Sequence, residues 1–188
     1  MASNRPRPTK ADLEAARAKV LRDVIAPGLK VLFCGINPGL YTTAIGHHFG
    51  RPGNRFWPAM FESGFTPRLY SPYEDESLLD LGYGVTNFVE RTTARADELT
   101  PDEFVDGAES LRKKVLHYNP RYLAVLGVGA YKTGFGKKNV SYGLQPERIG
   151  HTQLWVLPNP SGLNANFQMP ELARMFAELR QNVERESA

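Results

Sequence analysis

The stretch Val31-Leu32-Phe33-Cys34-Gly35-Ile36-Asn37-Pro38-Gly39-Leu40 decides the fold. Four consecutive apolar residues that end abruptly in glycine and proline read as a buried strand running into a tight loop. Near the other end of the chain, Leu154-Trp155-Val156-Leu157 runs into Pro158-Asn159-Pro160-Ser161-Gly162-Leu163 with the same design. In an open α/β sheet, ligands bind at the loops outside the carboxyl ends of the strands. Two such loops, each carrying an asparagine among prolines and glycines, predict one pocket built by both.

Working outward, Thr9 followed by Asp12 has the pattern of a capping box, which predicts a helix from there to about Val24, stopped by Ala26-Pro27-Gly28. Residues 41–53 read as a polar, glycine-bearing loop. Asn54 is placed to cap a helix through about Ser63, because Phe56, Met60 and Phe61 recur at helical spacing. A short helix is predicted over Asp75 to Leu81, and a short strand or loop over Gly84 to Val89. Thr100-Pro101-Asp102-Glu103 opens a helix running to about Tyr118 by the N-cap and first-turn proline pattern. Tyr122 to Leu126 is the next buried strand, with a helix near Ala130 to Phe135 after it. Gln153 to Leu157 is a third strand, and Pro170 opens a last helix with Leu172, Met175, Phe176 and Leu179 on one face. Strands alternating with helices predict an α/β fold: a three-layer α/β/α sandwich with a mainly parallel central sheet. Residues 1–8, with Arg5-Pro6-Arg7-Pro8, are read as a flexible basic arm and 9–188 as one domain.

Composition narrows the function without choosing it. The chain has 188 residues, a net charge of +3 and 23% charged residues, which permits an anionic partner and demands none. The single Cys34 excludes an intramolecular disulfide and a cysteine-ligated zinc or iron–sulfur site. The four histidines lack the spacing of a helical metal pair, so neither metal nor cofactor is expected. No segment approaches the ~18 apolar residues of a membrane span and the N-terminus has no signal-peptide core, so the expected protein is intracellular and independent of membranes. Gly127-Val128-Gly129 mimics a nucleotide-binding turn, but Lys132 stands where a dinucleotide fingerprint needs its third glycine, and Phe135 where a phosphate loop needs lysine. The pairs Lys113-Lys114 and Lys137-Lys138 read as solvated faces rather than DNA contacts.

The two strand-end loops together, with Asn54-Arg55-Phe56-Trp57 and Gly84-Val85-Thr86-Asn87 between them, resemble the mismatch-specific uracil-DNA glycosylases, the relatives of thymine-DNA glycosylase. The resemblance spans roughly residues 22 to 180. It implies a monofunctional, monomeric DNA glycosylase that excises uracil, and other damaged or 5-substituted pyrimidines, opposite guanine in double-stranded DNA. Such enzymes flip the target nucleotide into a pocket before they cleave its N-glycosidic bond.

The resemblance also distributes roles. Asn37 is the catalytic residue, holding a water through its side-chain carbonyl; an amide is a very poor base, so modest turnover is implied. Ile36, Gly39, Thr42, Phe49 and Asn159 belong to the substrate pocket. Gly39 stands where a tyrosine in other superfamily members blocks groups on carbon 5, so a wider range of bases is implied, although losing this glycine is also expected to strain the loop. Phe49 is the stacking aromatic or, alternatively, a core residue beneath the loop. Thr42 contacts the base or closes a local turn, and Asn159 contacts the base or supports its loop. Gly162 and Leu163 form the wedge, with Leu163 filling the gap left by the flipped base. Asn164-Ala165-Asn166 lacks the arginine that some relatives have there, which weakens the implied grip of the wedge. Glu90 and Asp97 are carboxylates near enough in sequence to be weighed as helpers of the water. The competing functional class is a mispair-binding module without chemistry; a hydrolase of free nucleosides is disfavoured, because it leaves Leu163 nothing to intercalate.

Overall fold

The protein is described by a computed structural model covering residues 6–186. Of the expected basic arm, residues 1–5 lie outside the described residues, and Pro6-Arg7-Pro8 adopt no regular element. Five strands form the central sheet: β1 (Val31–Gly35), β2 (Tyr83–Asn87), β3 (Tyr122–Leu126), β4 (Gly143–Ile149) and β5 (Thr152–Leu157). Their spatial order is β2-β1-β3-β5-β4. The first four in that order run parallel, and β4 closes one edge antiparallel to β5. Strands β1, β2 and β3 are buried along their whole length, as expected for parallel strands covered on both faces.

Alternation along β1 divides the core. Val31 and Phe33 point to the side covered by α3 (Phe56–Glu62) and α6 (Met169–Arg185), where they join Met60, Leu172, Phe176 and Leu179. Leu32 and Cys34 point to the side covered by α4 (Pro101–Tyr118) and α5 (Val128–Gly134), among Leu111, Val115 and Tyr131. This is the three-layer α/β arrangement expected of the sequence. Phe33 is the hub of the first layer. Its ring meets Phe56 and Phe65 edge-on at 5.6 and 5.2 Å and stacks on Phe176 at 6.1 Å. Such pairs are each worth about 0.5–1.5 kcal/mol beyond the area they bury.

Two local readings are corrected, and one strand went unread. The first helix, α1 (Lys10–Ala15), has the expected capping box between Thr9 and Asp12, but it tightens into a 3-10 turn over Ala16–Ala18 and stops. The chain is then drawn out so that Val24 bonds Val85 at the edge of β2, at 2.9 and 2.7 Å, and a strand pairing replaces the last helical turns. Gly84 permits the approach, since a Cβ there would lie 2.5 Å from the Val24 carbonyl. Within the expected 41–53 loop sits a short helix, α2 (Leu40–Ile45), bracketed by Gly39 at its start and a left-handed Gly46 at its end. Strand β4 was hidden by Pro146 and its charged neighbours. It is an edge strand with an irregular register between Leu144 and Arg148, and there a proline is tolerated.

The false nucleotide turn has a packing explanation. Gly127, at φ 146°, faces the Ile36 side chain, which a Cβ would meet at 3.2 Å; Gly134 is crossed by the Phe88 ring, at 2.4 Å from such a Cβ. Of the lysine pairs, Lys113 is exposed as expected, whereas Lys114 is largely buried, 2.6 Å from Asp23 and 3.0 Å from the Thr86 hydroxyl.

Candidate active site

The sheet order places β1 at a point where the topology reverses. From β1 the chain crosses to β2 on one side, and β3 then lies on the other. A crevice opens at the carboxyl end of such a strand, because the two connections leave in opposite directions. Here it is a cleft of about 380 Å³. The loop after β1 contributes Ile36, Asn37 and Gly39 to its wall; Thr42 and Phe49 come from α2 and the strap that follows it. Asn159 and Leu163 enter from the loop after β5. The two asparagine loops therefore do share one pocket. Gly162 does not line it and faces the adjoining groove with Gly53.

Asn37 is held in one orientation. Its Nδ2 donates to the Arg91 carbonyl at 2.8 Å and to the Thr93 hydroxyl at 2.7 Å. A carbonyl only accepts, so the amide nitrogen must face Arg91 and the amide oxygen is the atom left over. That oxygen has no partner among the described residues. The 91–93 segment is itself tied to the first loop, through Thr93 N–H to the Pro38 carbonyl and Leu40 N–H to the Thr93 carbonyl, both at 3.1 Å. Asn37 lines the cleft, so a fixed amide with an unpartnered oxygen forms part of its wall.

Phe49 is both a core and a cleft residue. Its ring stacks on Phe56 at 4.0 Å and 21°, continuing the aromatic cluster around Phe33, while it also lines the cleft. Its φ of 54° lies in the left-handed region, which is uncommon for a bulky side chain. A Cβ on Gly35 would come within 3.3 Å of the same ring, so glycine at the end of β1 lets Phe49 lie close to the strand. Thr42 makes the local contact: its hydroxyl accepts from the Gly50 N–H at 3.2 Å. Gly39 has φ −79°, ordinary for any residue, and a Cβ there meets nothing within 4 Å. The expected strain at this glycine is therefore absent.

In the second loop, Asn159 is engaged at both ends of its residue. Its side-chain oxygen accepts from Ser161 N–H at 3.0 Å, and its backbone carbonyl accepts from the Asn164 amide, also at 3.0 Å. Leu163 projects from this turn and is 73% exposed. Gly162 is required by close approach, since a Cβ there would lie 2.4 Å from the Gly53 carbonyl. The loop is clamped from behind by Arg55. Its guanidinium donates to the carbonyls of Phe167, Ser161 and Asn164 at 2.5, 2.8 and 2.9 Å, and its backbone N–H bonds Pro160.

A comparison with protein-family models matches residues 22–184 to the uracil DNA glycosylase superfamily. The chain belongs to that superfamily. Its members are DNA glycosylases, hydrolases that act on uracil in DNA. No helix among the described residues is long and apolar enough to cross a membrane.

Other residues that shape the site escaped sequence reasoning. Arg55 and Asn87 fall in stretches that carried the resemblance, yet nothing in the sequence says that Arg55 grips a loop more than a hundred positions away. Asn87 ends β2 and lines the cleft. Thr93 and the Arg91 carbonyl were invisible as partners of Asn37. His48 also reaches the cleft; burial pushes its pKa below the ordinary imidazole value, and its Nε2–H donates to the Arg22 carbonyl at 2.8 Å. Of the two carboxylates weighed above, Asp97 lines the cleft but is paired with Arg95 at 2.7 Å, and Glu90 sits in a separate groove near Lys114.

Proposed function

We propose that this glycosylase hydrolyses the N-glycosidic bond of uracil mispaired with guanine in double-stranded DNA, and that it accepts pyrimidines enlarged at carbon 5. The observation that carries the reading is the fixed Asn37 amide, its oxygen left without a partner, in the wall of a cleft shared with the exposed Leu163. The target nucleotide leaves the stack, and its base enters between the first loop and Phe49. Phe49, backed by Phe56, offers a flat face to the base; such stacking is worth ~1–3 kcal/mol in single-strand systems. Asn87 and Asn159 present amide groups to the base edge, and Gly39 leaves open the space next to carbon 5.

Asn37 Oδ1 accepts a hydrogen bond from a water and directs its oxygen at C1′. The new C1′–O bond forms as the C1′–N1 bond breaks, and its electron pair departs with uracil as an anion. Asn37 cannot take the water's proton, which passes to solvent, so the amide orients the nucleophile without activating it as a base. Leu163 fills the vacated stack, and Gly162 brings backbone towards the widowed guanine. No lysine takes part, so the product is an intact strand bearing an abasic site.

The test is a labelled duplex with a single G·U pair, treated with protein and then with alkali. Alkali-dependent cleavage at the uracil, exceeding that of the matched A·U duplex, is the expected result. Tight binding of the mispair without alkali-sensitive product would instead establish a binding module.

A further inference from the structure

Behind the cleft lies a buried carboxylate with no place in the chemistry above. Asp75 belongs to the 3-10 segment Pro72–Leu81 and is 2% exposed. Both its oxygens face the strap that joins α2 to Phe49. The His47 ring pairs through Nδ1 with Oδ1 at 2.9 Å, and the His48 backbone N–H donates to Oδ2 at 2.9 Å. Trp57 Nε1–H donates to the His48 carbonyl at 3.2 Å, so both backbone groups of the residue before Phe49 are anchored. Phe49 itself needs such anchoring. Its left-handed backbone is strained and persists only where the surroundings over-determine it.

We infer that Asp75 is a positioning residue that holds Phe49 in its cleft-facing conformation and so sets how well the pocket receives a base. A buried carboxylate is costly unless its lone pairs are satisfied, and here two of the groups that satisfy it come from the strap. Losing the carboxylate removes the His47 ring contact and the His48 N–H bond together; His48 keeps its bonds to Trp57 and the Arg22 carbonyl, but the strap is held less tightly and the strained Phe49 backbone relaxes away from the face of Phe56. This inference rests on the reading of Phe49 as the base platform.

A double-mutant cycle on the full chain tests it. Single-turnover excision from the G·U duplex is measured for the parent, Asp75→Ala, Phe49→Ala and the double variant. Hydrogen–deuterium exchange over residues 46–50 is measured on the same four proteins. Asp75→Asn runs in parallel, because it keeps an acceptor for the His48 N–H should the alanine variant fold poorly. We expect Asp75→Ala to raise exchange in the strap and to slow excision about tenfold in the parent but less than twofold in the Phe49→Ala background. Asp75→Asn should fall between. Unchanged strap exchange, or an equal loss of excision in both backgrounds, overturns the positioning role. Phe49→Ala excising as fast as the parent would overturn the platform reading, and the exchange data would still report whether Asp75 holds the strap.

Discussion

At the scale of single residues, the chemistry turns on which atom of an amide points where. Asn37 is legible in the sequence as an asparagine in a strand-end loop, but its orientation comes from groups 54 and 56 positions away, the Arg91 carbonyl and the Thr93 hydroxyl. We predict that Asn37→Ala binds a G·U duplex within a few-fold of the parent and loses about a hundredfold in single-turnover excision, the usual scale for removing one aligned polar group from a reacting centre. Unchanged excision would remove Asn37 from the mechanism. Gly39 makes a second residue-scale case. Its ordinary φ and the open space at its Cβ mean that Gly39→Tyr can fold and place a phenol in the cleft. Excision of 5-substituted uracils should then fall more than excision of uracil itself. If both rates drop in the same proportion, the space beside Gly39 does not set base size.

At the scale of elements, the second loop is a passenger on α3. Arg55, at the start of that helix, reaches three of the loop's carbonyls through one planar group, which a lysine cannot reproduce. Arg55→Lys should therefore destabilise the fold by about 2 kcal/mol, from lost charge-assisted hydrogen bonds. It should also raise hydrogen exchange over residues 161–167, which denaturant titration and exchange mass spectrometry would show together. Unaltered exchange there would mean that the loop holds its own shape. The start of α4 matters for the first loop in a similar way. Glu103 caps the helix at Thr100 and binds Arg91, whose carbonyl orients Asn37. Hydrogen bonds from Arg91 and from the Thr100 N–H hold the Glu103 carboxyl down at about 2, against an ordinary 4.5. A carboxyl depressed in the folded state adds stability that is complete above its unfolded value and is lost as pH falls towards its folded one. The melting-temperature gap between parent and Glu103→Gln should therefore be full at neutral pH and should close as pH drops from about 4.5 towards about 2. A gap independent of pH would show that the pair contributes through shape rather than charge.

At the scale of the whole molecule, the sheet brings loops from β1 and β5 to one end, although they lie more than a hundred residues apart in the chain. Leu163 then stands beside the cleft as an exposed apolar side chain, an arrangement suited to a DNA stack and of no use to the core. Leu163→Ala should slow excision from a G·U duplex by tenfold or so while leaving excision from the same strand alone nearly unchanged, because only a duplex must be held open. Equal losses on both substrates would assign Leu163 to loop packing.

The sequence alone was enough to establish the layered α/β fold, because parallel strands covered on both faces, such as Val31–Gly35 and Tyr122–Leu126, read as near-continuous apolar runs. The long helices were legible for a related reason, since caps such as Thr100 with Glu103 act over three residues. Strand β4, the brief helix α2 and the extended path to Val24 were not. Each is stabilised by neighbours distant in sequence, and its local pattern points elsewhere. The same division runs through the cleft. Asn37, Phe49 and Leu163 were visible as residue types in the right loops, but the Arg55 clamp, the Thr93 contact and the Asp75 anchor were not. A hydrogen bond between segments leaves no periodicity in either of them, so only the tertiary structure could decide which polar groups meet.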